Sequence, residues 1–378
     1  MAQKNYQKLG LYIHIPFCVQ KCQYCDFLSG PSDQETRDRY IKALRAEIQA
    51  VQSVEAYEIV SVFIGGGTPS ALKAEAIASI MRTLQEQFFF CEDAEVTIEA
   101  NPGTVDLEKL TIYRNVGINR LSLGLQSTDA EELKLLGRIH SYEEFLKSYE
   151  WAREAGFSNI NIDLMFAIPG QTGEAWRQHL YQVAELNPEH ISAYSLIIEE
   201  GTPFSRKKLD LPDEDTEYRM YEDVAVVLKE YGYHQYEISN YAKAGCECRH
   251  NEGYWQRKDY LGLGLGAASL LGKERFSNTS DMQEYLKNSS APEKIQKNWE
   301  LLTREDEMAE FMFLGLRMTQ GVSKKEFQEY FGTAIENIYG EVLKKYKKQG
   351  LLLEESGRIF LSREGIHVSN AVMADFLL

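Results

Sequence analysis

The amino-terminal half of the chain alternates between two hydrophobic rhythms. Short aliphatic runs at Leu11–Ile15, Ile59–Ile64, Glu95–Ala100, Arg120–Leu125, Asn159–Phe166 and His190–Ile197 predict strands. Between them, apolar residues recur at helical spacing in Asp33–Val51, Ala71–Phe88, Tyr142–Ala155 and Thr172–Leu186, which predicts amphipathic helices. Ser32 and Asp33 suit the start of the first helix, and Gly156 suits the end of the third. A succession of six βα units implies a parallel sheet with right-handed crossovers. The fold class is α/β, and the reading favours an incomplete (β/α)6 barrel over an open doubly wound sheet.

The reason for preferring a barrel is where the unusual polar residues fall. A cysteine-rich loop follows the first strand, and Gly65-Gly66-Gly67-Thr68-Pro69 follows the second. Glu99 and Asn101 end the third, Gln126 follows the fourth, and Asp163 lies in the fifth. In βα barrels the carboxyl ends of the strands form the active face.

The rhythm breaks near Tyr233, so residues 1–232 are read as the barrel. Residues 233–298 form a Tyr- and Gly-rich connecting region that contains His250-Asn251-Glu252-Gly253-Tyr254-Trp255. Residues 299–378 read as helices followed by a hairpin turning at Ser356-Gly357 and a last helix, an order like that of a winged helix. Lys344-Lys345-Tyr346-Lys347-Lys348 is locally basic, but the segment as a whole has more acids than bases, so internal docking is preferred to nucleic-acid binding.

Charge narrows the function classes. With 41 Lys and Arg against 57 Asp and Glu, the net charge of −16 repels phosphate backbones and anionic lipid heads, which disfavours nucleic-acid and membrane partners. No run approaches the roughly 20 apolar residues that span a bilayer, and Met1–Gly10 has no apolar signal core. A cytoplasmic location with reduced thiols is expected.

In that setting the crowding of Cys18, Cys22 and Cys25 suggests metal ligation before disulfides. Thiolates at this spacing can hold three corners of a [4Fe–4S] cluster and leave one iron open. Zinc is the alternative, with His14 as a fourth ligand, although no second CxxC accompanies it. Cys91, after three Phe residues, reads as a small core residue, and Cys246 and Cys248 as unligated thiols.

The string Tyr-Ile-His-Ile-Pro-Phe-Cys-x3-Cys-x-Tyr-Cys resembles the opening of the radical S-adenosylmethionine (SAM) HemN/HemW family. The likeness continues through Gly-Gly-Gly-Thr-Pro, Glu-Ala-Asn-Pro-Gly, Gly-Leu-Gln-Ser, Gly-Arg-Ile-His, Asn-Ile-Asp-Leu-Met and His-Asn-x-x-Tyr-Trp. It implies a radical SAM partial barrel followed by a HemN-type carboxyl-terminal domain. It also implies a cluster on Cys18, Cys22 and Cys25, with SAM surrounded by Gly66, Gly67, Thr68, Glu99, Gln126, Arg138 and Asp163, and with Tyr12 and Tyr24 near the cluster. Physically, glycines admit close backbone approach. Glu99 and Asp163 can accept from ammonium and ribose hydroxyls, and Arg138 can pair with a carboxylate.

Two functions lie within that resemblance. One is the oxygen-independent coproporphyrinogen III dehydrogenase, a decarboxylating enzyme. The other is a heme chaperone that hands heme to acceptor proteins. The dehydrogenases resemble this chain less: they carry a further Cys where Phe27 stands and a longer segment ahead of the cluster motif, and His250-Asn251-x-x-Tyr254-Trp255 resembles the chaperones. The chaperone reading therefore leads, with catalysis not expected, His250 as a heme ligand, and Tyr254 and Trp255 lining a macrocycle pocket. Where many relatives have a His, this chain has Ala267-Ala268-Ser269. The implied partners are heme, an acceptor protein of unstated identity and an electron donor for the cluster; a homodimer is left open.

Overall fold

The computed structural model describes residues 6–52 and 56–378. Six parallel strands appear in the expected order: β1 (Gln7–Ile15), β2 (Tyr57–Gly66), β3 (Phe90–Ala100), β4 (Arg120–Gln126), β5 (Ile160–Phe166) and β6 (His190–Ser195). The helices α1 (Gln34–Ala50), α2 (Ala74–Gln87), α3 (Leu107–Asn115), α4 (Ala130–Leu136), α5 (Tyr142–Glu154), α6 (Gly173–Glu185) and α7 (Glu214–Glu230) complete this barrel segment. Leu11, Ile13 and Ile15 on β1, with Ile64 on β2, Ile98 on β3 and Leu123 on β4, are wholly buried. Each such side chain contributes about 1.5–3 kcal/mol on leaving water.

Of the two residues suited to start α1, Asp33 is the cap and accepts from the Thr36 amide, and Gly156, with φ 89°, follows the end of α5. Ser141, which the hydrophobic pattern does not single out, forms a capping box with Glu144 at the start of α5. The third strand begins five residues earlier than its aliphatic run, at Phe90 rather than Glu95. Cys91 is therefore half-buried on that extension and is not a core residue.

The connecting region is less irregular than its composition suggests, because it supplies both edges of the sheet. Beyond β6 lie β7 (His234–Gln235) and β8 (Asn240–Ala242); α8 (Arg249–Trp255) follows. The chain then crosses to the opposite edge. There β9 (Tyr260–Leu263) pairs parallel to β1, and β10 (Ala268–Leu271), β11 (Glu274–Asn278) and β12 (Gln296–Leu301) continue antiparallel. Two short helices, α9 (Met282–Asn288) and α10 (Pro292–Ile295), precede β12.

This added sheet is fastened to the barrel by buried Glu47 of α1, which accepts from Gly264 N at 2.9 Å, Asn278 Nδ2 at 2.6 Å and Tyr285 Oη at 2.5 Å. Tyr40, two turns before, donates to the His14 carbonyl at 2.7 Å. The edge is thereby tied to the root of the cysteine loop.

The last unit comprises α11 (Arg304–Gly315), α12 (Lys324–Phe331), α13 (Ile335–Lys348), a small sheet of β13 (Val322–Ser323), β14 (Leu352–Glu355) and β15 (Arg358–Leu361), then α14 (Arg363–His367) and α15 (Ser369–Ala374). It has its own core around Phe327, Tyr339, Ile359 and Phe376. Arg257 and Arg275 of the connecting region meet Glu310 of α11, so ion pairs bridge the two parts. Among the described residues no helix is long and apolar enough to cross a membrane.

Candidate functional site

The cysteine loop, residues 16–30, is held at the carboxyl end of β1 by backbone bonds on both sides. Cys18 N donates to Gly30 O at 3.0 Å, and Gly30 N donates to Pro16 O at 3.0 Å. Gly67 N and Thr68 N donate to the carbonyls of Ile15 and Phe17. The glycine run makes this possible. Gly66 has φ +109°, and a Cβ on it would lie 2.4 Å from the His14 ring; a Cβ on Gly67 would meet Phe17 O at 2.7 Å. The glycines thus serve first to seat the cysteine loop.

All six cysteines are free thiols; Cys18 is buried while Cys22 and Cys25 are partly open. His14, the fourth ligand in the zinc alternative, is otherwise engaged. Its Nε2 donates to Leu28 O at 3.0 Å, and its Nδ1 accepts from the Tyr12 hydroxyl at 3.0 Å. Among the described residues no group of three or more His, Cys, Asp or Glu is gathered closely enough to hold a single metal ion. The zinc alternative therefore lacks an assembled ligand set.

Opposite the loop, Arg138 organises one side of the site. Its Nη1 lies 3.6 Å from Cys22 Sγ, and its Nη2 donates to Asn101 Oδ1 at 2.6 Å and Gly124 O at 2.5 Å. Asn101 in turn donates to Thr68 Oγ1 at 2.9 Å. Gln126 joins this group through a bulge: register shifts between Gly124 and Gln126, and Gln126 has φ 75°. Tyr24 packs beside Leu136 and Met165 below the loop.

The two acids sit differently. Glu99 accepts from Gly66 N at 3.0 Å, and burial, reinforced by the charge of Asp163, pushes its carboxyl up to about 8. Asp163 accepts from Asn161 Nδ2 at 2.8 Å and Ser122 Oγ at 3.1 Å, and burial raises it as well. Burial and the neighbouring Asp163 disfavour the charged form of Glu99, and a cation brought beside the two carboxyls would offset that cost. Three free thiols on one loop, a guanidinium beside one of them and this cation-seeking pair fit a [4Fe–4S] cluster with SAM at its open iron. SAM carries an ammonium and a sulfonium.

His250 is placed elsewhere. Its Nδ1 lies 3.0 Å from Ser61 Oγ and its Nε2 3.0 Å from the Tyr254 hydroxyl, and the ring stacks on Phe63 at 5.3 Å. Ser61 precedes Gly66 by five residues on β2, or about 17 Å at 3.3 Å per residue. The ring therefore plugs the amino end of the barrel interior while the cysteine loop occupies the carboxyl end. Burial, then the charge of Arg120, lowers His250 to about 3, so its imidazole is neutral.

Glu95 of β3 seats this plug. Its carboxylate accepts from the Arg249 and His250 amides at 3.2 Å, the free amino end of α8. Tyr254 and Trp255 diverge rather than lining one pocket. Tyr254 borders the cavity beside His250, and Trp255 borders a second one against the carboxyl-terminal unit.

The two ends of the barrel are joined by a buried chain of hydrogen bonds. Asp163 contacts Asn161, whose Oδ1 lies 2.6 Å from His190 Nδ1; His190 Nε2 lies 2.8 Å from the Tyr236 hydroxyl, which accepts from Cys248 N at 3.2 Å. Nothing in the linear pattern marks Glu95, Asn161 or His190 as partners. Their only trace is polarity at strand positions that alternate with aliphatic ones.

The model of the radical SAM superfamily matches residues 12–182, and that of the HemN C-terminal domain matches residues 302–368. A heme chaperone HemW of Bacillus subtilis (strain 168) is 38% identical over 372 residues, 97% of this chain and 98% of its own. That of Escherichia coli (strain K12) is 37% identical, over 94% and 96%. The solved structure of coproporphyrinogen III oxidase (HemN) from Escherichia coli, a radical SAM enzyme, superposes with a TM-score of 0.86 at 26% identity, covering 100% of this chain and 91% of that one. With cysteine loop, glycine run and acid pair on one barrel face, and with relatives matching at full length, the chain belongs to the radical SAM HemN/HemW family.

Proposed function

We propose that this protein is a heme chaperone that binds heme, passes it to an acceptor protein, and carries a SAM-binding [4Fe–4S] cluster on Cys18, Cys22 and Cys25. The observation that carries the choice is the α8 helix. It bears the His-Asn-x-x-Tyr-Trp segment and closes the amino end of the barrel with a buried neutral imidazole. Full-length likeness to proteins named heme chaperones supports the same reading. Phe27, at the place where the dehydrogenases carry a further Cys, is 61% exposed beside the cluster ligands.

When bound, the cluster supplies an electron-transfer centre. The chain's own residues position and bind: Arg138 and Thr68 frame the loop, Glu99 and Asp163 take the ammonium and hydroxyls of SAM, and Gln126 faces the same group. A separate protein is the electron donor, and the protein works as a monomer or a homodimer. His250 is the proposed iron ligand. Its Nε2 becomes available when the Tyr254 phenol turns away, whereas Ser61, which holds Nδ1, is fixed on β2.

The shared fold with the coproporphyrinogen oxidase keeps a second reading, oxidative decarboxylation, in play. Heme uptake decides between them. Cluster-loaded protein is expected to take up heme with a Soret band and to leave coproporphyrinogen III unchanged when given SAM and reductant. Turnover of coproporphyrinogen would overturn the chaperone reading.

A further inference from the structure

Two cavities adjoin at the amino end of the barrel, and their charges differ. The one beside His250, of about 610 Å³, is bordered by Glu58, Glu92, Asp93, Glu252 and Asp259 against Lys8, Arg249 and Lys258. It is the wrong sign for a dicarboxylate. The other, of about 710 Å³, lies between α8 and the carboxyl-terminal unit and has Lys8, Arg257, Lys258, Lys273 and Arg358 on its walls. Its acids are Asp259, Glu307 and Glu326; Glu307 pairs with Arg257 and Lys273, and Lys8, Lys258 and Asp259 border both cavities, so five cations against three acids leave a formal excess of two positive charges. A volume in the range of small-molecule sites, about 300–1,000 Å³, combined with net positive walls, suits an anionic organic ligand.

The walls also specify its shape. Trp255, Phe311, Tyr330 and Phe331 present aromatic surface from both sides, and Tyr330 is 79% exposed although it is a large aromatic. Arg317 stacks over the Trp255 ring at 4.3 Å and orients it.

We propose that this inter-domain cavity seats the heme macrocycle, with its rings against Trp255, Phe311 and Tyr330 and its propionate carboxylates among the cationic walls. The proposal rests on the heme-chaperone reading and deepens it by placing the ligand. It concerns the macrocycle and its carboxylates, whichever atom holds the iron. The seat is also remote from the cluster face, so heme and SAM occupy opposite ends of one barrel.

The test is equilibrium titration of cluster-loaded, full-length protein with heme and, separately, with iron-free protoporphyrin IX, which has the same carboxylates and no metal. Wild type is compared with the double variant Lys273→Glu/Tyr330→Ala. Both positions belong to this cavity and not to its neighbour, and both side chains are largely exposed, so the fold and iron content should be retained. Wild type is expected to bind both ligands, and the double variant to bind each at least tenfold more weakly. Undiminished binding by the double variant, or heme binding without protoporphyrin binding in wild type, would overturn the cavity assignment while leaving the heme reading intact. Absence of heme uptake by wild type would remove both.

Discussion

The guanidinium of Arg138 lies 3.6 Å from the sulfur of Cys22 while its other nitrogen bridges Asn101 and the Gly124 carbonyl. One planar fork therefore links the Cys22 thiol to the carboxyl ends of β3 and β4. Lys can supply the charge but not the fork. Arg138→Ala and Arg138→Lys are both expected to weaken SAM binding roughly tenfold to a hundredfold, the loss of about 1.5–3 kcal/mol that a charge-assisted contact carries. Calorimetry with the cluster intact measures this, and unchanged affinity in both variants would remove Arg138 from the SAM site.

The thiols divide by position. Cys18, Cys22 and Cys25 share the loop over β1 and β2, whereas Cys91 is on the far extension of β3 and Cys248 donates to Glu95 at 3.5 Å. Anaerobically reconstituted protein is expected to hold about four irons and four sulfides per chain, with broad visible charge-transfer absorbance. Replacing any of the loop cysteines with Ser should abolish both, and replacing Cys91 or Cys246 should abolish neither. Iron and sulfide analysis decides. Full loading after Cys22→Ser would break the assignment.

Much of this arrangement is legible from sequence because it follows from periodicity. The six strands, four long helices and the active carboxyl face come from alternation of aliphatic runs with amphipathic ones. What escapes is short or non-local. The α3 helix buries only Leu110 and Tyr113, too thin a stripe to register as helical. The β9–β12 edge pairs with β1 across more than two hundred residues, and no local pattern encodes that partner. His250 was legible as a candidate through its motif. Its position at the opposite end of the barrel from the cysteines depends on Glu95 and Ser61, whose roles exist only once β2 and β3 are side by side.

Glu47 provides a pH signature. Buried among Gly264, Asn278 and Tyr285, its carboxyl is pushed by burial from 4.5 up to about 7. A raised carboxyl binds its proton more tightly folded than unfolded. Its contribution is thus complete below about pH 4.5 and is lost as pH rises through about 7. The shift corresponds to about 3 kcal/mol over that window. Glu47→Gln, which retains much of the hydrogen bonding, is expected to flatten that part of the stability profile. Denaturant melts at pH 5, 6, 7 and 8 follow it, and parallel profiles for the two proteins would contradict the burial argument.

The last prediction concerns His250 and its cap. Both ring nitrogens are engaged, Nδ1 with Ser61 on β2 and Nε2 with the Tyr254 phenol one turn along α8. Iron can reach Nε2 only after that phenol leaves, so Tyr254 should oppose ligation by about the worth of one hydrogen bond. Tyr254→Phe removes the competitor while keeping the ring that packs against His250 at 4.8 Å and Tyr260 at 4.6 Å. It is expected to bind heme a few-fold more tightly than wild type, given about 0.5–1.5 kcal/mol per hydrogen bond, and to be less stable without heme because Nε2 is then unsatisfied. His250→Ala should weaken or shift the Soret band, since loss of an axial imidazole changes the iron's ligand field. Heme titrations read by absorbance, with thermal melts of the heme-free proteins, separate the cases. Tighter binding in Tyr254→Phe together with an altered spectrum in His250→Ala assigns the ligand. An unaltered spectrum in His250→Ala with uptake retained would take the iron away from this helix and leave heme held by its periphery.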